Sequence, residues 1–523
     1  MWNYADIQTV PDIVRHYARA TPDKTATVQG HRKVSYAELD ASSSRVANAL
    51  ASRGVKPGAV VAYIGKNSIN FFEILYGAGK AGCTLLPLNW RLVPAELRPI
   101  LEDAQPAIVF ADRDLCEQMR ATARDAGLSC ELVEIDTGDE QDDRLARWTA
   151  DASSQDARLA IDTRGIALLM YTSGTTGRAK GVQLSHQALS YMRLCESLDP
   201  ELQWRSDDVL MMVMPNFHLL GTGIPIQVMY NGGTVSVLPA FDPGRLLELV
   251  QRDRPSVLVL APTAIQMILD HPRAADTDFG SLRLVMYAGS PIGPALLLRA
   301  MNAMKCQFMQ FYGATETGGA TTILRPAQHD LQQEQKLRSC GTPLPLIHIR
   351  VVDAAGQTLP DGQVGEFLIR APSLFSGYRN QPEATAAALQ DGWYRSGDAG
   401  YRDADGLFYI VDRTKDMIVS GGENIYSAEV ERAVASHPAI AMAAVVGAPD
   451  PRWGERVTAI VMLKKDAQAT PEEIVQHCRA RIASYKLPKE VRFVQTMPIS
   501  ATGKILKRVL RDEFWKDRER AVG

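Results

Sequence analysis

The sequence predicts an α/β protein with a large N-terminal domain of packed βα sheets, a β-rich subdomain, and a small α+β domain at the C-terminus. Three observations favour this fold class. Short apolar runs alternate with amphipathic segments on both sides of about residue 150, as in parallel βα units. From about residue 340 short strand patterns follow one another, separated by turn signals. A chain of 523 residues is also too long for one hydrophobic core, so two or more domains are expected.

The boundary between the two domains is predicted after residue 413, which gives domains at 1–413 and 414–523. The run Arg413-Thr414-Lys415-Asp416 is polar and lies between two apolar strand patterns. A short polar connection of this kind is the best place in the chain for an inter-domain hinge.

The elements follow from hydrophobic periodicity. Residues 11–55 predict two helices around a short polar hairpin, because apolar residues recur at helical spacing in the second stretch. The acidic stretch 131–165 is predicted to be a solvated connection. Helical patterns at the C-terminal end lie at 427–436, 471–484 and 504–520, and the last of these is predicted to be a basic amphipathic helix with a solvated face. Predicted strands of the large domain lie at 59–65, 83–88, 107–111, 166–170, 209–215, 234–239, 256–262, 282–290 and 307–313.

Composition excludes several classes of protein. The net charge of −3 gives no basic surface for nucleic acid. The N-terminus lacks the layout of a signal peptide, and no stretch approaches the ~18 apolar residues of a membrane span. The seven cysteines are scattered without a CxxC pair, which favours buried reduced thiols over disulfides or zinc. The sequence therefore predicts a cytoplasmic enzyme.

The stretch from Tyr171 to His186, YTSGTTGRAKGVQLSH, is the strongest candidate for a binding loop. Glycines let the backbone approach a ligand closely, and successive N–H groups with small hydroxyls form a concave site for anions. Lys180 adds a positive charge. The stretch is not the common nucleotide-binding loop, in which Ser or Thr follows the lysine. We interpret it as a phosphate cradle, and an ordinary polar loop is the alternative.

Three further blocks carry candidate chemistry. In QFYGATETGG (310–319), Tyr312 offers a flat face for a base and Glu316 offers the hard oxygen that suits Mg²⁺. In YRSGDAGYRDADG (394–406), Asp398 could accept hydrogen bonds from two ribose hydroxyls. In ISATGKILKR (499–508), Lys504 follows a glycine turn. Each block taken alone is better explained as a turn or a surface lysine.

In this order and at these separations, the blocks resemble the adenylate-forming superfamily of acyl-CoA synthetases, adenylation domains and luciferases. The motifs that carry the resemblance are YTSGTTGRAKG, YGATE, YRSGD, DRTKDMIVSGGENIYSAEVE and ATGKILK, and the likeness runs from about residue 12 to 515. With YKLPK at 485–489, the chain looks most like bacterial fatty-acyl and aryl-acyl CoA ligases. One departure is Ala179, where many members carry proline.

The resemblance implies a set of site residues. Catalytic roles would fall to Lys504, Thr315, His218 and Lys180, and Glu316 would hold Mg²⁺. Lys415 would be the hinge about which a mobile C-terminal domain rotates, bringing Gly421, Gly422 and Glu423 to coenzyme A. The acyl pocket would be lined by His218, Gly221, Thr222, Ala288, Gly289, Gly313 and Gly318. ATP and AMP would contact Thr172, Ser173, Gly174, Thr175, Thr176, Lys180, Gly289, Ser290, Pro291, Gln310, Phe311, Tyr312, Gly313, Thr315, Asp398, Arg413 and Lys504.

The implied function is that of an ATP-dependent acyl-CoA synthetase, whose partners are a carboxylic acid, ATP with Mg²⁺, and coenzyme A. The domain 1–413 would bind ATP and the acid, and 414–523 would carry the catalytic lysine. Small residues in the pocket segments favour a medium- to long-chain fatty acid, and an aromatic or steroid-side-chain acid is the alternative. A stand-alone enzyme that loads a carrier protein, and a non-catalytic binding protein, are rival functions. A homodimer and a peripheral membrane contact are left open.

Overall fold

The computed structural model describes residues 5–136, 144–172, 179–289, 292–330, 332–333, 335–413, 416–420, 423–479, 481–500 and 504–516. The chain divides into two compact units, one of Met1–His348 with Ile369–Tyr394 and the other of Ile349–Leu368 with Arg395–Gly523. The predicted α/β class, with large sheets and a smaller C-terminal α+β part, is confirmed. The predicted domain boundary after residue 413 concerns the hinge and stays a prediction, as does the mobility of the small domain.

Most helices of the first unit begin where a side chain or a proline can satisfy their first turn. The side chains of Ser35, Ser68, Ser185 and Asp242 accept the free backbone N–H groups, and other helices start with proline. The helices of this unit are α1 Asp12–Ala20, α2 Tyr36–Ser52, α3 Ile69–Lys80, α4 Pro94–Ala104, α5 Cys116–Asp125, α6 Arg144–Trp148, α7 His186–Ser197, α8 Leu219–Tyr230, α9 Pro243–Asp253, α10 Pro262–Asp270, α11 Pro294–Met304 and α12 Pro382–Ala388.

The nine strands that apolar runs predicted in the large domain are present, and further strands lie outside those runs. The first fifteen are β1 Thr25–Gln29, β2 Arg32–Ser35, β3 Val60–Ile64, β4 Thr84–Leu88, β5 Ile108–Asp112, β6 Glu131–Ile135, β7 Ile166–Thr172, β8 Lys180–Ser185, β9 Val209–Met212, β10 Thr234–Val237, β11 Val257–Leu260, β12 Leu284–Ala288, β13 Gln307–Ala314, β14 Gly319–Leu324 and β15 Thr342–Pro343. The others are β16 His348–Val352, β17 Gly365–Arg370, β18 Gly377–Tyr378, β19 Leu389–Gln390, β20 Trp393–Arg402, β21 Phe408–Arg413, β22 Ile418–Ser420, β23 Glu423–Ile425, β24 Ile440–Asp450, β25 Gly454–Leu463 and β26 Glu490–Phe493.

Two mainly parallel sheets make up the first unit. One has the strand order β15-β14-β13-β12-β11-β9-β10-β1-β2 and the other β18-β8-β7-β4-β3-β5-β6. The strands at their centres are almost wholly buried, because helices cover both faces of a parallel sheet. The predicted repetition of βα units on either side of residue 150 is therefore confirmed. In such sheets the carboxyl ends of neighbouring strands meet at one edge, which is where ligands bind.

The acidic connection predicted at 131–165 contains regular structure. Strand β6 pairs in parallel with β5 at the edge of its sheet, and α6 follows within the described residues. Trp148 at the end of α6 packs edge-on against Phe110 at 5.1 Å and beneath the guanidinium of Arg53 at 4.3 Å. The prediction of a solvated connection was wrong for this part of the segment, because Val133, Ile135 and Leu145 are also buried against the core.

The second unit contains a small sheet in the order β16-β17-β20, with β21 paired to β20, and a C-terminal sheet in the order β23-β22-β25-β24 with β26 paired to β25. Helices α13 Ser427–Ala435, α14 Pro471–Arg479 and α15 Lys507–Asp512 accompany the second sheet. Helix α15 is shorter than predicted, and it has a solvated face that includes the exposed Arg508 and Asp512, whereas the Lys507 side chain is only 18% exposed. Among the described residues, no helix has both the length and the apolar character needed to cross a membrane.

Candidate functional site

Strands β7 and β8 flank the predicted phosphate cradle. They form an antiparallel pair in which Thr172 lies opposite Lys180, so the two predicted site residues face each other across the ends of the loop. A Cβ on Gly181 would lie 3.0 Å from the Tyr171 ring, so glycine lets this ring pack against β8. Of the predicted cradle, Ser173, Gly174, Thr175 and Thr176 lie outside the described residues.

The Glu316 turn lies between β13 and β14. The Thr317 hydroxyl accepts from Ala314 N at 3.0 Å and donates to Gly319 O at 2.7 Å, which closes the turn from inside. Gly318 adopts φ +72°, and a Cβ there would lie 2.3 Å from Ser373 O, so this position requires glycine. The turn thus leaves Thr315 and Glu316 partly exposed.

Tyr378 connects the turn to the cradle. Its hydroxyl donates to Glu316 Oε1 at 2.9 Å, and Lys180 Nζ lies 4.7 Å from the centre of its ring. Among the described residues, the second carboxylate oxygen of Glu316 accepts no hydrogen bond. The Tyr378 side chain therefore contacts both Lys180, a cation suited to phosphate, and Glu316, whose carboxylate oxygen suits Mg²⁺. Sequence reasoning missed Tyr378, because only the fold brings it to both residues.

The predicted adenine-binding residues share one sheet edge. Ala288 at the end of β12 lies beside Phe311 of β13, and Tyr312 follows on the same strand. Gly289 comes next with φ +91°, a conformation that favours glycine where the chain leaves the sheet. Ser290 and Pro291 lie outside the described residues. The parallel register thus brings together Ala288, Gly289, Gln310, Phe311, Tyr312 and Gly313.

His218 precedes the first residue of α8, and its carbonyl accepts from the N–H groups of Gly221 and Thr222. The Thr222 hydroxyl donates to Asn216 O at 2.5 Å. Asn216 is fully buried, and its backbone N–H donates to Asn67 Oδ1 at 2.9 Å. Hydrogen bonds therefore hold the backbone on both sides of His218 in place.

At three glycines in the segments expected to form the acyl pocket, backbone or side-chain atoms fill the space that a Cβ would take. An added Cβ would lie 2.0 Å from Pro215 O at Gly221 and 2.1 Å from Gly319 O at Gly313. At Gly319 it would lie 2.9 Å from Cγ of Met192. These positions need glycine for close approach of the chain, so the interpretation that they provide space for a long acid is wrong. Their membership of an acyl pocket stays a prediction.

Replacing Gly221 with alanine is expected to lower the free energy of unfolding by about 3 kcal/mol, since the new Cβ would overlap backbone that cannot rotate away. Urea unfolding followed by circular dichroism measures the loss. Gly223→Ala is the matched control in the same helix, because its Cβ would meet only the flexible Leu219 side chain at 3.1 Å. Equal stability of the two variants would contradict the assignment of Gly221 to close packing.

In the second unit, Asp398 and Arg413 are partners in the β20–β21 register. Asp398 is 5% exposed, and its N–H donates to Ser396 Oγ at 3.0 Å. A bulge between Ala399 and Gly400 shifts the register next to this pair. The two residues predicted to hold the ribose are thus adjacent across the strands.

The remaining predicted residues also belong to the second unit. Lys504 is exposed, and its backbone pairs with Ser500 next to an Ile499–Ile505 bridge. Gly421, Gly422 and the hinge residue Lys415 lie outside the described residues. Glu423 begins β23, opposite Ser420.

Comparison with known proteins gives consistent matches. The family model described as AMP-binding enzyme matches residues 14–379, and that described as AMP-binding enzyme C-terminal domain matches residues 429–504. The chain is 36% identical to the fatty acid–[acyl-carrier-protein] ligase ScoC of Streptomyces coeruleorubidus, covering 99% of both chains. It is 36% identical to a feruloyl-CoA synthase of Amycolatopsis sp, covering 95% of this chain and 97% of that protein. The crystal structure of ATP-bound MatB from Rhodopseudomonas palustris is similar with a TM-score of 0.86 and 31% identity, over 96% of this chain and 99% of that one.

Proposed function

The chain belongs to the family of AMP-binding enzymes and is an acid–thiol ligase that uses ATP and coenzyme A, and we propose that its acid is apolar, with a medium- to long-chain fatty acid as first candidate. The meeting of Lys180 and Glu316 at Tyr378 carries the assignment of the ATP site. Segments 218–223 and 259–263 are expected to border the acyl pocket. They contain no Asp, Glu, Lys or Arg, which supports an apolar acid. The likeness to ScoC, a fatty acid ligase by name, agrees with the first candidate.

Each part of the nucleotide has a proposed set of contacts. Thr172 and Lys180 would bind the β- and γ-phosphates together with the loop between them. Tyr312 would stack on adenine, and Thr315 would contact the α-phosphate. Asp398 would accept hydrogen bonds from the ribose hydroxyls, supported by its register with Arg413. These assignments are the ones that the resemblance to the adenylate-forming superfamily implies, and the chemistry of each side chain suits them.

The reaction then proceeds in two steps. A carboxylate oxygen of the acid attacks the α-phosphorus as its bond to pyrophosphate breaks. Negative charge accumulates between the two anions, so positively charged side chains account for most of the catalysis. Lys504 would neutralise this charge, and Lys180 would neutralise the leaving pyrophosphate. In the second step the thiolate attacks the acyl carbon and AMP leaves.

Glu316 fits a role as ligand of Mg²⁺. Its Oε1 accepts a hydrogen bond from Tyr378, which leaves Oε2 available to a cation. Within the described ranges, no cluster of three His, Cys, Asp or Glu side chains could hold a metal alone. Mg²⁺ commonly binds through one or two carboxylates and the phosphates of its nucleotide, so a single glutamate suffices. The ion would neutralise phosphate charge when bound.

A compact aryl acid is the second candidate, because Met192 packs where a Cβ of Gly319 would stand. This side chain is buried and would lie 2.9 Å from that Cβ, so a long chain would have to pass it if the pocket includes Gly319. The likeness to a feruloyl-CoA synthase agrees with an aryl acid. A carrier-protein thiol as acceptor is the alternative to coenzyme A that the name of ScoC suggests.

Release of AMP from ATP by the purified protein, measured with octanoate, palmitate and ferulate in turn, tests the proposal. Turnover that requires both the acid and coenzyme A is expected, with the highest kcat/KM for a fatty acid. Preference for ferulate would select the aryl candidate. AMP formed only in stoichiometric amounts with coenzyme A present would contradict coenzyme A as acceptor.

A further inference from the structure

Tyr378 occupies a buried position in the short strand β18. Gly377 and Tyr378 pair with Gln183 and Val182 of β8, the strand that begins with Lys180. The side chain is 8% exposed, and its ring packs against Phe375 at 4.8 Å between ring centres. The ring is therefore fixed with respect to the cradle strand.

Hydrogen bonds to backbone carbonyls on both sides hold the segment around Tyr378. Phe375 N donates to Glu316 O at 2.9 Å, and Ser373 Oγ donates to Thr317 O at 2.8 Å. On the other side, the Arg379 guanidinium donates to the carbonyls of Asp103 and Ala104 at 3.1 and 2.9 Å. The segment thus spans from the Glu316 turn to the end of α4. A side chain held at both ends can orient its neighbours with little loss of entropy.

The hydroxyl and the ring act on different partners. The hydroxyl donates to Glu316 Oε1 and so selects one rotation of the carboxylate. The ring face lies 4.7 Å from Lys180 Nζ, within the range of a cation–π contact.

We propose that Tyr378 is a positioning residue that orients Glu316 toward Mg²⁺ through its hydroxyl and Lys180 toward phosphate through its ring. The inference rests on the proposed function, since it presumes that Mg²⁺ and ATP bind at these two residues. The proposal assigns metal binding to the hydroxyl and ATP binding to the ring, and a tyrosine with a purely structural role would affect both equally. Losing the hydroxyl should weaken metal binding alone, whereas losing the ring should also weaken binding of ATP without metal.

Titration calorimetry of the full chain with ATP, in Mg²⁺ and in EDTA, tests this separation. Tyr378→Phe keeps the ring and its packing, so we expect an unchanged Kd for metal-free ATP and a roughly tenfold higher Mg²⁺ concentration at half-saturation. Tyr378→Leu removes the ring as well, and we expect metal-free ATP to bind about threefold more weakly. Tyr191→Phe is the matched control, because it removes a hydroxyl whose described partner is Gln187.

The outcomes distinguish the two levels of the proposal. If the wild-type protein binds no ATP with or without Mg²⁺, the proposed function fails. If the wild type binds Mg–ATP and Tyr378→Phe has the same Mg²⁺ dependence, the positioning role of Tyr378 is overturned. Thermal unfolding identifies a destabilised variant, and in that case Mn²⁺ binding measured by electron paramagnetic resonance below the melting range decides. Equal Mn²⁺ affinity of the variant and the wild type would also overturn the proposal.

Discussion

Replacing Lys504 with alanine is expected to lower acid-dependent ATP–pyrophosphate exchange by about 10²- to 10³-fold, while thioester formation from supplied acyl adenylate should continue at nearly the wild-type rate. The first step brings a carboxylate against a phosphate, and two anions need a cation between them as the new bond forms. In the second step the acyl adenylate already exists, so that charge is no longer present. Loss of a lysine that acts only in the first step should therefore slow adenylation and leave thioester formation nearly unchanged.

The control for this variant is Lys464→Ala, which removes another exposed lysine of the same unit. It should leave both half-reactions unchanged. Equal losses in both steps for Lys504→Ala would indicate damage to the fold of the small domain or a role in both steps. Either result would contradict the assignment of Lys504 to acid activation.

Replacing Lys507 with methionine is expected to lower the free energy of unfolding of the second unit by about 3 kcal/mol. Lys507 Nζ lies 2.8 Å from Glu431 Oε1 and donates to Ser427 Oγ at 2.8 Å, and Ser427 in turn donates to Asp412 Oδ2 at 2.6 Å. The Lys507 and Glu431 side chains are 18% and 19% exposed. Removing the cation leaves the partly buried carboxylate of Glu431 without its positively charged neighbour while Val445 N still donates to it at 2.8 Å, and loss of the charge partner is costly.

The effect of this substitution depends on pH in a predictable direction. Burial opposes the charge of Lys507, but Glu431 and Asp412 more than compensate and raise its pKa. A raised pKa stabilises the fold at pH values below the ordinary lysine pKa, and this contribution is lost as pH rises through the folded-state pKa. Burial raises the pKa of Glu431, and without Lys507 nothing nearby opposes that rise as strongly. Protonation of Glu431 should therefore make the deficit of Lys507→Met smaller at pH 5 than at pH 8.

Hydrogen exchange measured by mass spectrometry reports on this unit separately. The amides of α13 and β24 should lose protection by roughly 100-fold in Lys507→Met at pH 8. Arg508→Met, an exposed neighbour on the same helix, should change protection little. Equal protection in Lys507→Met and the wild type would show that the buried pair contributes no stability.

Local patterns were sufficient to predict most helices and strands, and the roles of the site residues stay predictions. Strand β7 ends at the predicted cradle, and β12 and β13 bring Ala288 beside Phe311 because parallel neighbours present their carboxyl ends together. The register of Asp398 with Arg413 depends on a bulge, which hydrophobic alternation does not reveal.

Where the sequence interpretation was wrong, a distant neighbour decided the outcome. Gly221 and Gly313 look like open space in a sequence, but carbonyls of Pro215 and Gly319 occupy it. Tyr378 lies outside the sequence motifs, and its contacts with Lys180 and Glu316 arise from long-range strand pairing. Periodicity describes which face of an element is buried and not which group covers it.

Transfer of an isotopic label from the acid tests the central claim most directly. The acid is supplied with ¹⁸O in both carboxylate oxygens, together with ATP, Mg²⁺ and coenzyme A, and the AMP formed is analysed by mass spectrometry. Attack of the carboxylate on the α-phosphorus predicts one ¹⁸O in each AMP and none in pyrophosphate. Unlabelled AMP, or label in inorganic phosphate together with ADP, would contradict an acyl-adenylate intermediate.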